Sequence, residues 1–238
     1  MLRGEVHVWH SSADDAPPSE LILPVLEAAE RDRASRFVFP EHQRLFIAAH
    51  GALRTLLGMY LGVPPETVRF RNAKNGKPEL AAPAGVHFNL SHTSGAFAIA
   101  TAAHGPVGVD IEKIRAMPDW RAVALRFFSP AEIAWIENGP QAEQLAAFFT
   151  CWTGKEAYLK ATGAGLGVPL SSFSVLPRGD GFDLNVDARA GDAKRWSVRP
   201  VRLDSDLRAA VAAEGHDWRL RVFEGAKIPW NGHLAGRA

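Results

Sequence analysis

The chain has 238 residues, 27 Lys and Arg against 26 Asp and Glu, and 47% hydrophobic residues, a globular composition whose net charge of +1 excludes a global field for nucleic acid or an anionic membrane. A single cysteine, Cys151, excludes an intramolecular disulfide and a multi-cysteine metal cluster and fits a reducing compartment. Residues 1–15 hold no apolar run of the signal-peptide type, and no stretch is long enough to span a membrane, so the sequence predicts a cytoplasmic protein.

In chain order, residues 5–9 (EVHVW) alternate and predict a strand. Ser19, after a loop rich in Asp and Pro, predicts an N-cap for one helix over 20–36, with Pro24 tolerated in its first turns. Pro40 opens a longer helix to Leu61, closed by Gly62 and Pro64-Pro65, with Leu45, Ala49, Leu53, Leu56 and Tyr60 at helical spacing. A short strand over 67–70 and a turn over 72–78 follow. Residues 86–90 predict a strand running into Ser91-His92-Thr93. Residues 96–101 and 107–112 predict two more strands, whose linker suits a hairpin. Residues 113–119 lack periodicity and join the two halves of the chain. Beyond them lie a helix over 120–128, a capping box at Ser129-Pro130-Ala131-Glu132, and a central helix over 143–161. After a glycine-rich loop (Gly163, Gly165, Gly167), strands are expected over 172–176, 182–186, 196–203, 208–213 and 218–223, and fraying from 224 onward. Segregated helices and antiparallel strands predict an α+β fold, with no sequence repeat strong enough to prove duplication.

The central helix carries the first chemical signal. At about 100° per residue, Leu145, Phe148, Phe149, Trp152 and Leu159 form one apolar face, with Glu156 in its middle and Lys160 at its edge. A carboxylate there needs a partner, either Lys160 one turn on or a metal ion. Cys151 could serve as a nucleophile, but a small residue packed among aromatics is the simpler reading. The second signal is Val107-Gly108-Val109-Asp110-Ile111-Glu112, which places Gly108, Asp110 and Glu112 on one strand face. Its carboxylates, about 7 Å apart along the strand, can turn toward one hard cation, with Gly108 leaving space beside them. Alone, the strand reads first as an ordinary one with a solvated polar face. With Glu156 as a third ligand, one metal accounts for both features, and carboxylate oxygens favour Mg²⁺ over Zn²⁺.

Mg²⁺ held in this way shares its shell with substrate phosphates. Gly76-Lys77-Pro78 forms a turn with backbone amides and an ammonium to offer, and Ser91, His92 and Thr93 supply donors at a strand end. Arg31, Arg33, Arg36 and Arg44 cluster in the first half, where a solvated helix face is the simpler reading. Gly163-Ala164-Gly165-Leu166-Gly167 follows a helix, and Val168 stands at the third glycine's place, so it is not a dinucleotide loop. There is no P-loop and no His-Glu-x-x-His. Ser91 and His92 point apart on one strand and make no triad.

Val107 to Lys113 and Trp152-Thr153-Gly154-Lys155-Glu156-Ala157-Tyr158-Leu159-Lys160 resemble the two signature motifs of the 4′-phosphopantetheinyl transferases. Gly76-Lys77-Pro78 and Phe88-Asn89-Leu90-Ser91-His92 resemble the family's two upstream motifs, and Leu170 to Val175 resembles the strand after its central helix. The length is similar to the two-halved, monomeric Sfp type. The resemblance implies two pseudo-symmetric α/β halves, 1–105 on the coenzyme A phosphate and adenine side and 106–224 carrying metal and catalysis, with a tail over 225–238. It implies transfer of 4′-phosphopantetheine from coenzyme A to a serine of an apo acyl or peptidyl carrier protein, releasing 3′,5′-ADP, with Mg²⁺ or Mn²⁺. A CoA-binding protein without catalysis and a Mg²⁺-dependent CoA phosphohydrolase are the alternatives. By resemblance Asp110, Glu112 and Glu156 hold the metal. Glu156, directly or through water, is the candidate base for the serine, with a metal-bound water as the alternative, and Lys160 would stabilise or protonate the leaving phosphate. Ser91 and His92 contact CoA phosphate, and Gly76, Lys77 and Pro78 line the adenine end. Arg33 and Arg44 lie near the 3′-phosphate. Glu30 departs from the pattern, standing where the Sfp type can carry a basic residue, so that Arg31 or Arg36 would substitute. The segment 115–128, with Arg115, Arg121 and Arg126 among Met117, Trp120, Leu125 and Phe128, reads equally as a carrier surface and as an ordinary amphipathic helix.

Overall fold

A computed structural model describes residues 4–73, 76–186 and 193–230. The first half runs β1 (Glu5–Ser12), α1 (Ser19–Ile22), α2 (Ala28–Ala34), α3 (Pro40–Leu61), β2 (Phe70–Asn72), β3 (Pro78–Leu80), β4 (His87–Thr93) and β5 (Ala96–Ala102). The second half runs β6 (Val107–Lys113), α4 (Trp120–Phe127), α5 (Pro130–Glu137), α6 (Gln144–Thr162), β7 (Phe173–Arg178), β8 (Gly181–Val186), β9 (Trp196–Val201) and β10 (Leu207–Glu214), before β11 (Arg219–Glu224). The order repeats: a strand, short helices, one long helix, a small hairpin, then two antiparallel strands. The sheets repeat it as well, β1-β5-β4 matching β6-β10-β9. Both long helices end on a left-handed glycine, Gly62 at φ 68 and Gly163 at φ 69, a conformation that residues with a Cβ resist. The fold is α+β in two pseudo-symmetric halves. Among the described residues no helix is long and apolar enough to cross a membrane.

Strand alternation builds four layers, helix, sheet, sheet and helix. Val6 and Val8 of β1 and the even-numbered alanines of β5 meet Val107, Val109 and Ile111 of β6 and Val211 of β10 between the sheets. Small side chains let the sheets pack closely. The opposite face of the first sheet, with Trp9, Phe97 and Ile99, packs on α3. Ala210 and Ala212 of β10 pack on α6 with Ala157, Tyr158 and Ala161.

Several sequence expectations change. The helix over 20–36 is broken: α1 gives way to a 3-10 turn at Leu23–Val25, Leu26 is extended, and Glu27 caps α2. Pro24 removes a helical donor and clashes with the preceding turn. The N-cap of α1 is Pro18, not Ser19. Residues 65–67 form a 3-10 turn, and β2 begins only at Phe70, paired with an unforeseen β3. The expected hairpin between the strands at 96–101 and 107–112 does not form. β5 pairs with β4 and β1, and β6 with β10, because β6 supplies the second sheet's inner face. β11, in the stretch assigned to the second half, pairs in parallel with β1 of the first. Order continues past 224: residues 225–227 form a 3-10 turn and Ile228 is buried, while 231–238 lie outside the described residues.

Candidate active site

The site is built where β4, β6 and α6 meet. Gly108 sets the approach: a Cβ there would lie 2.2 Å from the Ala157 carbonyl oxygen and 2.3 Å from the Ala161 nitrogen. The helix backbone therefore fills the space that the sequence reading reserved for an ion. On the other side of α6, a Cβ at Gly154 would lie 2.8 Å from Val175. The helix is buried by sheet, strand β7 and aromatic residues on most of its circumference. Its half-exposed side is the one bearing Leu145, Trp152, Glu156 and Lys160, which the helical projection had turned into the core. Polar residues Thr153 and Lys155 are buried instead.

The rotation of α6 is fixed by an ion pair the sequence reading did not find. Lys155 Nζ lies 2.7 Å from Glu132 Oε2, and both side chains are excluded from solvent. Glu132 forms the predicted capping box with Ser129 and also accepts from the Val175 amide at 2.8 Å. Lys155 donates to the Phe173 carbonyl at 2.5 Å. Every partner is satisfied, the condition under which a buried pair persists.

Asp110 is 4% exposed. Its Oδ1 accepts from Lys160 Nζ at 2.6 Å and Ser91 Oγ at 2.9 Å, and Lys160 also donates to Ser91 Oγ at 2.9 Å. Lys160 thus pairs across to β6 and not with Glu156 one turn back. Asp110 Oδ2 is buried and has no hydrogen-bond partner among the described residues. Burial pushes the Asp110 carboxyl up to about 6, against the pull of Lys160 and Ser91, with Glu112 adding to the rise. Glu112 is held through Oε2, which accepts from Thr93 Oγ1 at 3.0 Å and Arg115 at 3.2 Å. Glu156 is half-buried with no hydrogen bond or ion pair among the described residues. Burial raises its carboxyl, Lys160 opposing and Glu112 adding. Among the described residues no three His, Cys, Asp or Glu side chains stand together as a ready metal cage. The orphaned Asp110 Oδ2 and an all-carboxylate donor set nonetheless fit a hard cation.

β4 is stitched to β6 by side chains in place of a backbone ladder. Alternate residues Asn89, Ser91 and Thr93 face β6: Asn89 Oδ1 accepts from the Val109 amide at 2.8 Å and Thr93 Oγ1 from the Lys113 amide at 3.1 Å. The sequence reading missed Asn89. The signal was an alternating polar run on β4 to match the acidic run on β6.

The basic residues separate. His92 is exposed; desolvation lowers its pKa first, followed by the nearby His50, Lys160 and Arg33, with Glu112 opposing. Arg33 lies over the Phe46 ring at 5.1 Å. Arg44 turns to the loop before α1, 3.4 Å from the Asp14 and Ala16 carbonyls. Arg31 donates to the Leu26 carbonyl. Glu30 accepts from His50 Nδ1 at 2.9 Å, Arg54 Nε at 2.5 Å and the Glu27 amide at 2.9 Å. Burial pushes its carboxyl up, yet these donors outweigh it and hold Glu30 below the usual range. Its charge is therefore answered within the fold, and His50 is a basic neighbour of His92 that the sequence reading overlooked. Gly76, Lys77 and Pro78 lie beside the seam. Lys77 and Pro78 line a cavity of about 370 Å³ with Phe88, Ala161, Thr162 and Gly163. The Lys77 ammonium is directed at two backbone carbonyls, Val107 at 2.9 Å and Lys160 at 2.6 Å. A seam with one carboxylate, orphaned at one oxygen and paired through the other to Lys160, and one glutamate unpartnered among the described residues, suits neutralisation of a polyanion beside a proton acceptor.

Comparison with known proteins identifies the family. Residues 106–212 match the 4′-phosphopantetheinyl transferase superfamily, and residues 8–104 match the family described as 4′-phosphopantetheinyl transferase, N-terminal. The chain is 38% identical over 228 residues to the 4′-phosphopantetheinyl transferase HetI of Nostoc sp., covering 94% of this chain and 93% of that protein. It is 35% identical over 205 residues to the 4′-phosphopantetheinyl transferase Sfp of Bacillus subtilis, covering 81% and 89% respectively. The chain belongs to the 4′-phosphopantetheinyl transferase family and is an enzyme of that family.

Proposed function

We propose that this transferase moves 4′-phosphopantetheine from coenzyme A to a serine hydroxyl of an apo acyl or peptidyl carrier protein, acting as a cytoplasmic monomer with Mg²⁺. The observation that carries the reading is the Asp110–Lys160 pair with its orphaned Oδ2, set at a seam beside an unpartnered Glu156. Asp110, Glu112 and Glu156 would hold the metal, Mg²⁺ or Mn²⁺. When bound, it would supply charge neutralisation on the CoA pyrophosphate.

The remaining steps fall to this chain's own groups. Glu156 takes the serine proton as the serine oxygen bonds to the phosphorus of the pantetheine arm. The bond from that phosphorus to the bridging oxygen breaks, and 3′,5′-ADP leaves. Lys160 holds a proton beside the departing phosphate. Ser91 and His92 bind phosphate; Arg33, with His50 nearby, faces the 3′-phosphate end. Arg44 is the weaker candidate there because it is engaged with the loop before α1. Lys77 and Pro78, next to Gly76, line a cavity that would take the adenine end. The carrier docks on α4, where Leu125 is 68% exposed beside Arg121 and Arg126.

The test is incubation with CoA, Mg²⁺ and apo carrier proteins of the fatty-acid, polyketide and peptide types, read by intact-mass spectrometry. One added phosphopantetheine is expected on at least one carrier. Consumption of CoA without a carrier would favour a phosphohydrolase, and CoA binding without either reaction would favour an inactive binder.

A further inference from the structure

We infer that Lys77 is a positioning residue acting through Lys160: its ammonium clamps the last turn of α6 onto the first residue of β6. Lys77 belongs to the first half, and its two acceptors, the carbonyls of Val107 and Lys160, belong to the second. The clamp therefore crosses the seam on which the site is built. The Lys160 carbonyl lies in the final turn of α6, where carbonyls lack partners within the helix. An ammonium there satisfies one of them and meets the negative end of the helix. Val107 immediately precedes Gly108, the point of closest approach between strand and helix. A Cβ at Gly108 would also lie 2.8 Å from the Lys160 carbonyl carbon. The Lys160 main chain is thus pressed on β6 at Gly108 and tied there by Lys77, while its side chain runs along the same strand to Asp110.

A lysine side chain has large rotamer entropy to lose when ordered. Fixing its main chain at the strand is what makes a 2.6 Å contact with Asp110 reproducible. Lys77 is itself held by its own backbone, the Ala73 amide donating to the Lys77 carbonyl at 2.9 Å. Burial brings the Lys77 ammonium down to about 8, Glu79 opposing and Lys160 adding, as expected for a cation withdrawn from solvent. An ammonium bonded to two carbonyls plays a different part from one offered to a phosphate.

The inference rests on the proposed role of Lys160, and a double-mutant cycle separates the two. Four proteins are compared, wild type, Lys77→Met, Lys160→Met and the double variant, measuring kcat, KM for CoA and Tm. Lys77→Met is expected to lower kcat about tenfold, mid-range for coupled neighbours, with KM for CoA little changed. In the Lys160→Met background it is expected to lower kcat no further. A full additional loss in that background would overturn the clamp, because Lys77 would then act independently of Lys160. A raised KM with unchanged kcat would make Lys77 a CoA ligand, and a lowered Tm with unchanged kcat would make it only a structural staple; either overturns the proposal. If Lys160→Met alone leaves kcat intact, the reading of Lys160 fails, and the clamp acting through it fails with it. If wild type does not transfer from CoA at all, the proposed function has failed first, and that result is read separately.

Discussion

In the first half, α3 buries Arg54 against Glu30, the glutamate of the capping box on α2; in the second, α6 buries Lys155 against Glu132, the glutamate of the capping box on α5. Both cations stand at the same distance from the left-handed glycine that ends the helix, and both donate to a carbonyl just ahead of or at the next strand, Val68 or Phe173. The halves part company on the faces these helices present. The strand facing α3 carries His7, Trp9 and Ser11; the strand facing α6 carries Gly108, Asp110 and Glu112. Trp9 Nε1 donates to Tyr60 at 2.8 Å, and the first half closes into an aromatic core. Thr55 and Met59 occupy on α3 the places of Glu156 and Lys160 on α6. β1 is flanked on both edges, by β5 and β11, whereas among the described residues β6 pairs only with β10 and meets β4 through side chains. The buried ion pair is therefore part of the scaffold, present twice, and the proposed chemistry falls in the half whose strand edge is left open to polar side chains.

The most severe test of that contrast is Glu156→Gln against Thr55→Val. The first is expected to reduce transfer by about 10²–10⁴-fold, the usual worth of a general base, and the second to leave it near wild type. Carrier modification and thermal melting in EDTA and in Mg²⁺ with CoA provide the check. Glu156→Gln removes a half-buried, unpartnered carboxylate, so it should melt no lower than wild type in EDTA. Mg²⁺ with CoA should stabilise wild type more than the variant, since a ligand that binds the native state raises its stability. Melting well below wild type in EDTA would make Glu156 a structural partner.

Next come the matched ion pairs. Lys155→Met strands Glu132 without solvent, and urea unfolding is expected to show a loss of about 3–5 kcal/mol. Arg54→Met should cost less, because Glu30 is 13% and Glu27 32% exposed and can be hydrated. Equal losses would mean that the two pairs are more alike than their burial indicates. A smaller effect is expected at the proposed carrier surface on α4. Arg121→Glu with Arg126→Glu should raise the carrier KM by roughly fivefold per charge, as for exposed ion pairs of about 1 kcal/mol. An unchanged KM would remove α4 from the docking surface. The smallest effect concerns Cys151, fully buried where α3 holds His50. Burial pushes its thiol far up, so iodoacetamide at pH 8 should leave it unmodified in native protein and alkylate it in urea. Alkylation of the native protein would show that the helix opens.

By itself, the sequence determined the long elements and their faces. Pro40 to Gly62 and the Ser129–Glu132 capping box are local instructions, and the structure follows them. The alternation in β6 likewise put Gly108, Asp110 and Glu112 on one face, because a strand's period is a property of its own backbone. Only the tertiary structure decided what those faces meet. The apolar stripe of α6 was legible, but not that its Glu156 side would stay half-exposed, since burial depends on which strands and helices surround the axis. Gly108 was visible as a small residue; that α6 fills its place follows from helix packing. Lys160 had a local candidate partner in Glu156, yet a charge pairs with whatever the fold brings nearest, here Asp110, fifty residues earlier in the chain. The same holds for Lys77 and its two carbonyls, for Lys155 and Glu132, and for β11 returning to β1. Periodicity and capping act over a turn or a strand. Contacts between distant segments are selected by the packing of the whole chain, and the arrangement of the site is made of such contacts.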